Sequence, residues 1–116
     1  RYSDFVALGA DVLGGSTDSV HSHKAWLKEL GGLNFPLFAD MTHDMSFDYG
    51  VLVPEEGVAL RGTFIVDPEG VLRYANYHDM SVGRSVVETL RVLKALQTGE
   101  LCPVGWEEGQ ETLGKA

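Results

Sequence analysis

Apolar residues recur along the first half of the chain with the spacings of short helices and strands. Helical spacing predicts a helix over residues 1–8, stopped by Gly9, and a second helix over residues 19–30, ended by Gly31 and Gly32. Short apolar runs at 10–14 and 36–39 predict strands that flank the second helix. The first half therefore predicts strands and helices in alternation.

The second half continues this pattern and adds a hairpin. A helix is predicted over residues 42–49, followed by a loop at 54–57 and strands at 59–66 and 71–78. An Asp-Pro-Glu-Gly turn at 67–70 joins the two strands, and a Ser-Val-Val-Glu capping box opens a last helix over 85–97. One face of this helix is predicted to hold Val86, Leu90, Leu93 and Gln97, and Gly99 is placed to end it. The predicted fold class is α/β with one antiparallel hairpin.

Composition narrows the possible classes of function. The 116 residues include 17 acidic and 9 basic side chains, which gives a net charge of −8. We expect no nucleic-acid partner and no membrane partner, because both attract positive surfaces and no apolar stretch approaches the roughly 20 residues of a membrane span. A single cysteine, Cys102, excludes an intrachain disulfide and a multi-cysteine zinc site.

Histidines and a glycine-rich segment raise two further possibilities. His21 and His23 are two residues apart, a spacing that places them on different faces of a helix, and His43 and Asp40 lack a third ligand of known proximity. The segment 14–17 lacks the lysine of a phosphate-binding loop. We therefore predict no metal and no cofactor.

Five motifs in order resemble the typical two-cysteine peroxiredoxins, the alkyl hydroperoxide reductase and thiol-specific antioxidant family. They are STDS with HKAW at 16–26, PLFAD with DYGVL at 36–52, RGTFIVD at 61–67, VGRS at 82–85 and ELCPVGW at 100–106. The resemblance spans nearly the whole chain and implies a thioredoxin-like fold. It also implies a thiol peroxidase that reduces hydrogen peroxide, organic hydroperoxides or peroxynitrite.

The chain departs from this family at one decisive point, because it has no Pro-x-x-x-Thr/Ser-x-x-Cys peroxidatic motif. We expect the carboxy-terminal part of a longer parent, without the amino-terminal strands and the peroxidatic turn. Residues 1–98 would form a partial core and 99–116 a tail with the resolving cysteine. The parent is expected to be the enzyme and this chain inactive. The alternative is a non-catalytic thioredoxin-like interaction module or holdase.

The resemblance assigns roles to five residues. Cys102 matches the resolving cysteine, with Pro103 and Trp106 giving the tail its shape and anchorage. Arg61 matches the active-site arginine, whose fixed charge favours a reactive thiolate and stabilises the breaking O–O bond. Arg84 matches an arginine that supports the active site. The alternatives are a passive buried cysteine and two surface arginines.

The resemblance also implies partners. They are a peroxide substrate, a thioredoxin-like or flavoprotein disulfide reductant, and a second copy that pairs through the strand at 71–78. Residues 40–52 resemble the surface that builds rings of dimers, and the expected compartment is the cytoplasm. In the family, a central strand lies between the counterparts of 10–14 and 59–66. We therefore expect another segment to fill that position, or the two flanking strands to pair with each other.

Overall fold

The computed structural model describes residues 1–30 and 35–115. The chain divides into two compact units. The first comprises Arg1–Gly62 and Tyr77–Gly83, and the second comprises Thr63–Asn76 and Arg84–Ala116. The boundary between core and tail predicted at residue 98 does not coincide with the boundary between these units and stays a prediction. The second unit contains both the helix before residue 98 and the segment after it.

The described part of the first unit contains three helices and four short strands. They are α1 (Tyr2–Ala7), β1 (Gly14–Ser16), α2 (Val20–Leu30), β2 (Leu37–Ala39), α3 (Asp44–Asp48), β3 (Leu52–Val53) and β4 (Val58–Ala59). Gly9 follows α1 with φ 74°, a left-handed conformation that glycine adopts without a Cβ penalty. The predicted first helix and its stop are confirmed.

Strands β1 and β2 pair in parallel, and α2 lies between them in sequence as the crossover. Ser19 caps α2, since its Oγ accepts a hydrogen bond from the Ser22 amide at 3.1 Å. Gly15 pairs with Phe38, whose ring would lie 2.1 Å from any Cβ at residue 15. This close approach requires glycine and fixes the register of the two strands.

The predicted strand at 10–14 is wrong in its position, because the structure places β1 at Gly14–Ser16. The prediction treated the apolar run at 10–14 as a buried strand, but Leu13 is 69% exposed. Pairing with β2 begins at Gly14 instead, and Gly15 leaves room for the ring of Phe38. The helix predicted over 42–49 is shorter, and β3 and β4 form an unpredicted antiparallel pair around the predicted loop.

The second unit holds most of a hairpin and a 13-residue helix. Strands β5 (Arg61–Val66) and β6 (Leu72–His78) form a two-stranded sheet, and α4 spans Val86–Thr98. Asp67 builds the predicted turn, because its Oδ1 accepts hydrogen bonds from the Glu69 and Val71 amides at 2.9 Å each.

Helix α4 has the predicted cap and supplies much of the buried apolar surface. Ser85 Oγ accepts a hydrogen bond from the Glu88 amide at 3.2 Å, and Gly99 ends the helix with φ 66°. Leu90 and Leu93 are 3% and 9% exposed, as their stripe predicts, whereas Val86 on the same predicted stripe is 45% exposed. The reciprocal half of the capping box is replaced, since both Glu88 carboxylate oxygens accept from Arg91.

The pairing of the strands tests the expectation that the two strands flanking the family's central strand pair with each other. Within residues 1–30 and 35–115, β1 pairs with β2 and β5 with β6, and no ladder joins β1 to β5. Pairing of the two flanking strands is therefore not what the structure has, and occupation of the position by another segment stays a prediction.

The glycines predicted to end α2, Gly31 and Gly32, lie outside the described residues. In the described part of the chain, no helix has the length and apolar character needed to cross a membrane.

Candidate functional site

Cys102 lies at the carboxy-terminal end of α4, where Gly99 turns the chain back along the helix. Its thiol is half-buried. Its Sγ lies 3.6 Å from Thr98 Oγ1 and 3.8 Å from each of the Ala95 and Glu100 carbonyl oxygens. These are the distances of weak S–H···O hydrogen bonds. The cysteine is therefore neither sealed in a core nor open to solvent on all sides.

The residues after Cys102 form a tight turn that buries an indole. The Trp106 amide donates to the Pro103 carbonyl at 3.1 Å, and Gly105 in the turn has φ 71°. Trp106 is 4% exposed, and its Nε1–H donates to the Gln110 carbonyl at 3.1 Å. Pro103 and Trp106 thus shape and anchor the segment that carries the cysteine, although their part in resolution stays a prediction.

An ion pair on α4 reaches the same segment. Arg91 Nε and Nη2 donate to the two Glu88 carboxylate oxygens at 2.6 and 2.7 Å, and Arg91 Nη1 donates to the Trp106 carbonyl at 2.9 Å. The hydrogen bonds from Arg91 outweigh burial and lower the pKa of Glu88 below its ordinary value. The same hydrogen bonds raise the pKa of Arg91. The i, i+3 spacing of Glu88 and Arg91 on a helix is typical of an ion pair and could have indicated it from the sequence. Nothing in the sequence indicates the hydrogen bond from Arg91 to the Trp106 carbonyl.

The two predicted arginines lie on different elements. Arg84 is exposed and precedes the cap of α4, whereas Cys102 follows the other end of this 13-residue helix. At 1.5 Å per residue the helix separates them by roughly 20 Å, so the second unit does not bring them together. Arg61 begins β5, is exposed and belongs to the first unit. The catalytic and supporting roles of both arginines stay predictions.

A second polar cluster lies in the first unit. Asp40 is 6% exposed, and its carboxylate accepts hydrogen bonds from the Ser46 amide, the Ser46 hydroxyl and the Met45 amide at 2.7, 2.6 and 3.1 Å. These bonds cap α3, and this capping role accounts for the burial of the Asp40 carboxylate.

His23 is a second buried polar residue of the first unit, 5% exposed, with its Nε2 at 2.5 Å from Ser16 Oγ. No group of three potential metal ligands occurs among the described side chains.

The family follows from comparison with known proteins. Residues 1–75 match the model of the AhpC/TSA family, a stretch that includes Arg61 and ends before Arg84 and Cys102. The chain belongs to this family, whose relatives are named peroxiredoxins, and it has their thioredoxin-like fold.

Individual relatives extend the match beyond residue 75. A Bacillus subtilis protein named as a peroxiredoxin, YkuU, is 56% identical over 119 residues, covering 97% of this chain and 66% of the relative. The chloroplastic 2-Cys peroxiredoxin BAS1 of Spinacia oleracea is 46% identical over 123 residues, covering 97% of this chain and 46% of the relative. The crystal structure of reduced Plasmodium vivax 2-Cys peroxiredoxin superposes with a TM-score of 0.85 at 34% identity, covering 94% of this chain and 61% of that one.

These matches confirm the expected family and fold. The chain spans about half to two thirds of the length of these three relatives.

Proposed function

We propose that this chain is the carboxy-terminal part of a thiol peroxidase in which Cys102 is the resolving cysteine. The observation that carries the proposal is the half-buried thiol at the end of α4, inside the Cys-Pro-x-Gly-Trp turn of a chain that belongs to the AhpC/TSA family. Cys102 and Arg84 lie at opposite ends of α4, roughly 20 Å apart. Because Arg84 is proposed to support the peroxidatic site, this separation supports a reaction of Cys102 with the peroxidatic cysteine of another subunit.

The proposed chemistry balances in two steps. A peroxidatic thiolate in the parent attacks hydrogen peroxide or an organic hydroperoxide, forms a sulfenic acid and releases water or an alcohol. The Cys102 thiolate of a partner subunit then attacks the sulfenic sulfur, an S–S bond forms, and hydroxide leaves as water. A thioredoxin-like or flavoprotein dithiol reduces this disulfide. The cytoplasm, where such reductants keep thiols reduced, is the proposed compartment.

Arg61 is proposed to stabilise charge in the first step. An arginine stays protonated and offers a fork of N–H donors to a thiolate and a peroxide oxygen. The exposure of Arg61 in this chain leaves its donors accessible to such a site. Arg84 is proposed to support the same site in the full-length protein.

The matching experiment uses the full-length protein that contains this chain. With Cys102→Ser, peroxide should no longer produce a disulfide-linked dimer on non-reducing gels, while the first equivalent of peroxide is still consumed. Arg61→Ala should lower the second-order rate with peroxide about a hundredfold or more. Lys28→Ala is the control, an exposed basic side chain on α2 that has no proposed part in the active site or the dimer interface. An unchanged disulfide in the serine variant overturns the resolving role.

The 116-residue chain itself provides a second test. It contains one cysteine and no peroxidatic motif, so it should consume peroxide no faster than buffer. Turnover at the rate of the full-length protein would contradict the assignment of activity to the parent.

The proposed assembly is a homodimer through β6, with a ring of dimers through residues 40–52. Exposed apolar side chains on both segments support this, since Tyr77 on β6 is 49% exposed and Met41 and Phe47 are 60% and 72% exposed. An isologous dimer through β6 should appear by sedimentation velocity. A monomer at all concentrations would contradict it.

The same exposed apolar surface favours a second candidate, a non-catalytic interaction module or holdase. This candidate predicts that the chain suppresses thermal aggregation of an unrelated enzyme and that Cys102→Ser leaves the suppression unchanged. Peroxide consumption by the full-length protein, abolished with its peroxidatic cysteine, would exclude a purely non-catalytic role for the parent.

A further inference from the structure

The segment after α4 is a closed loop, defined here as the tail loop of residues 100–115. Near its two ends, the Leu101 amide donates to the Gly114 carbonyl at 2.8 Å and the Leu113 amide donates to the Leu101 carbonyl at 2.7 Å. The Thr112 hydroxyl adds a bond to the Glu100 carboxylate at 2.6 Å. Cys102 is therefore the first residue inside the closure, and its movement is tied to that of the whole loop.

The tail loop is held on α4 at two points beyond Cys102. Arg91 donates to the Trp106 carbonyl at 2.9 Å, and Lys94 lies 2.5 Å from the Glu108 carboxylate. Lys94 is half-buried and Glu108 is 66% exposed, and ion pairs with a solvent-exposed partner contribute little to stability. The Arg91 bond is the stronger attachment because it is charge-assisted and its acceptor belongs to a buried residue.

Arg91 is pre-oriented for this contact. Two of its donors are fixed on the Glu88 carboxylate, and the Glu88 amide is itself held by the Ser85 cap. The planar guanidinium then directs its third donor at the tail loop without further loss of side-chain freedom. Glu88 and Arg91 lie a full helical turn or more before Cys102. Arg91 hydrogen-bonds to the loop at the Trp106 carbonyl, and the neighbouring Glu107 carboxylate adds an electrostatic attraction to the same guanidinium.

We propose that Arg91, oriented by Glu88, is a latch that holds the tail loop on α4 and thereby sets how often the Cys102 thiol is presented to another sulfur. With the latch closed, Sγ faces Thr98 and the Ala95 carbonyl of its own helix. With the latch open, the loop leaves α4 as one body and Sγ is free for in-line attack. Arg91 is thus a positioning residue. The identity of the attacked sulfur rests on the proposed resolving role, whereas the latch itself does not.

The test measures the rate at which Ellman's reagent labels Cys102 in this chain, relative to the rate in full denaturant. Loss of one charge-assisted hydrogen bond should raise the open fraction roughly ten- to a hundredfold, so Arg91→Ala should label that much faster. Arg91→Lys keeps the positive charge but loses the forked donor geometry of the guanidinium. Its labelling rate should lie between the rates of the unchanged chain and of Arg91→Ala. Lys28→Ala, at an exposed side chain of α2, should label like the unchanged chain.

A second measurement separates the latch from general loss of stability. Labelling through local opening of the tail loop depends weakly on urea, whereas labelling through global unfolding depends on it steeply. We expect the accelerated rate of Arg91→Ala to have the weak dependence, with hydrogen exchange accelerated in residues 100–115 and not in α4. If Arg91→Ala does not fold, Arg91→Lys and Glu88→Gln carry the same test.

Unchanged labelling in the folded Arg91 and Glu88 variants, or acceleration with only the steep urea dependence, overturns the latch. Labelling requires neither peroxide nor a partner subunit, so this result is independent of the proposed function. Failure of the proposed function would show instead as no Cys102 disulfide after peroxide treatment of the full-length protein, whatever the labelling rates.

Discussion

Replacement of Asp40 by asparagine removes a buried charge without changing the size of the side chain. Asp40 accepts three hydrogen bonds, from the Ser46 amide and hydroxyl and from the Met45 amide. An asparagine turns an NH₂ group toward donors and leaves at least one of them unsatisfied. An unsatisfied buried donor costs about 1–3 kcal/mol, a sizeable part of the 5–15 kcal/mol that is typical of a whole domain. We expect Asp40→Asn to lower the free energy of unfolding by about 1–3 kcal/mol at neutral pH.

The effect should depend on pH with a definite sign. Burial alone raises the pKa of Asp40, but the hydrogen bonds from Ser46 and Met45 prevail and hold it below the usual 3.8. A lowered folded-state pKa contributes stability that is complete above the unfolded value and is lost as the pH falls through the folded value. The difference between wild type and Asp40→Asn should therefore be largest near neutral pH and shrink below pH about 4.

Urea unfolding followed by far-UV circular dichroism, at neutral pH and at pH about 3, measures both quantities. The matched control is Asp48→Asn, which removes an exposed carboxylate from the other end of the same short helix and should change stability by no more than about 0.5 kcal/mol. Equal stability of Asp40→Asn and wild type at neutral pH, or a difference that grows on acidification, would refute the reasoning.

Three further predictions concern packing and capping. Trp106→Ala should lower the free energy of unfolding by about 3–5 kcal/mol, measured by urea titration, whereas Trp26→Ala, at a side chain that is 49% exposed, should cost much less. Gly15→Ala places a Cβ 2.1 Å from the Phe38 ring and should lower the melting temperature, with partial recovery in the double variant with Phe38→Ala. Ser85→Ala removes the cap of α4 and should cost about 1 kcal/mol, read from loss of stability and faster amide exchange in the first helical turn.

The sequence predicted well where a local rule operates alone. The Ser85 cap, the Gly99 stop and the Asp67 turn each depend on neighbours within four residues, and all three occur as expected. Family resemblance supplied the position of Cys102 after the last helix. Trp106, four residues after this cysteine, is buried.

Contacts between distant segments were the part that could not be predicted. The position of β1 is set by the fit of Phe38 over Gly15, which apolar periodicity does not report. Arg91 has the spacing of an ordinary surface ion pair with Glu88, and only the fold brings the Trp106 carbonyl to its third donor. Asp40 likewise caps a helix that begins four residues later, from outside the usual cap position.

The burial of Trp106 gives the chain an optical reporter of its own. An indole that is 4% exposed and hydrogen-bonded to a carbonyl emits at shorter wavelength than one in water. The only other tryptophan of the sequence, Trp26, is 49% exposed and lies in the other unit. With Trp26 replaced by phenylalanine, the emission maximum would follow residue 106 alone. Stopped-flow fluorescence would then time the departure of the loop from its helix without any label attached to sulfur.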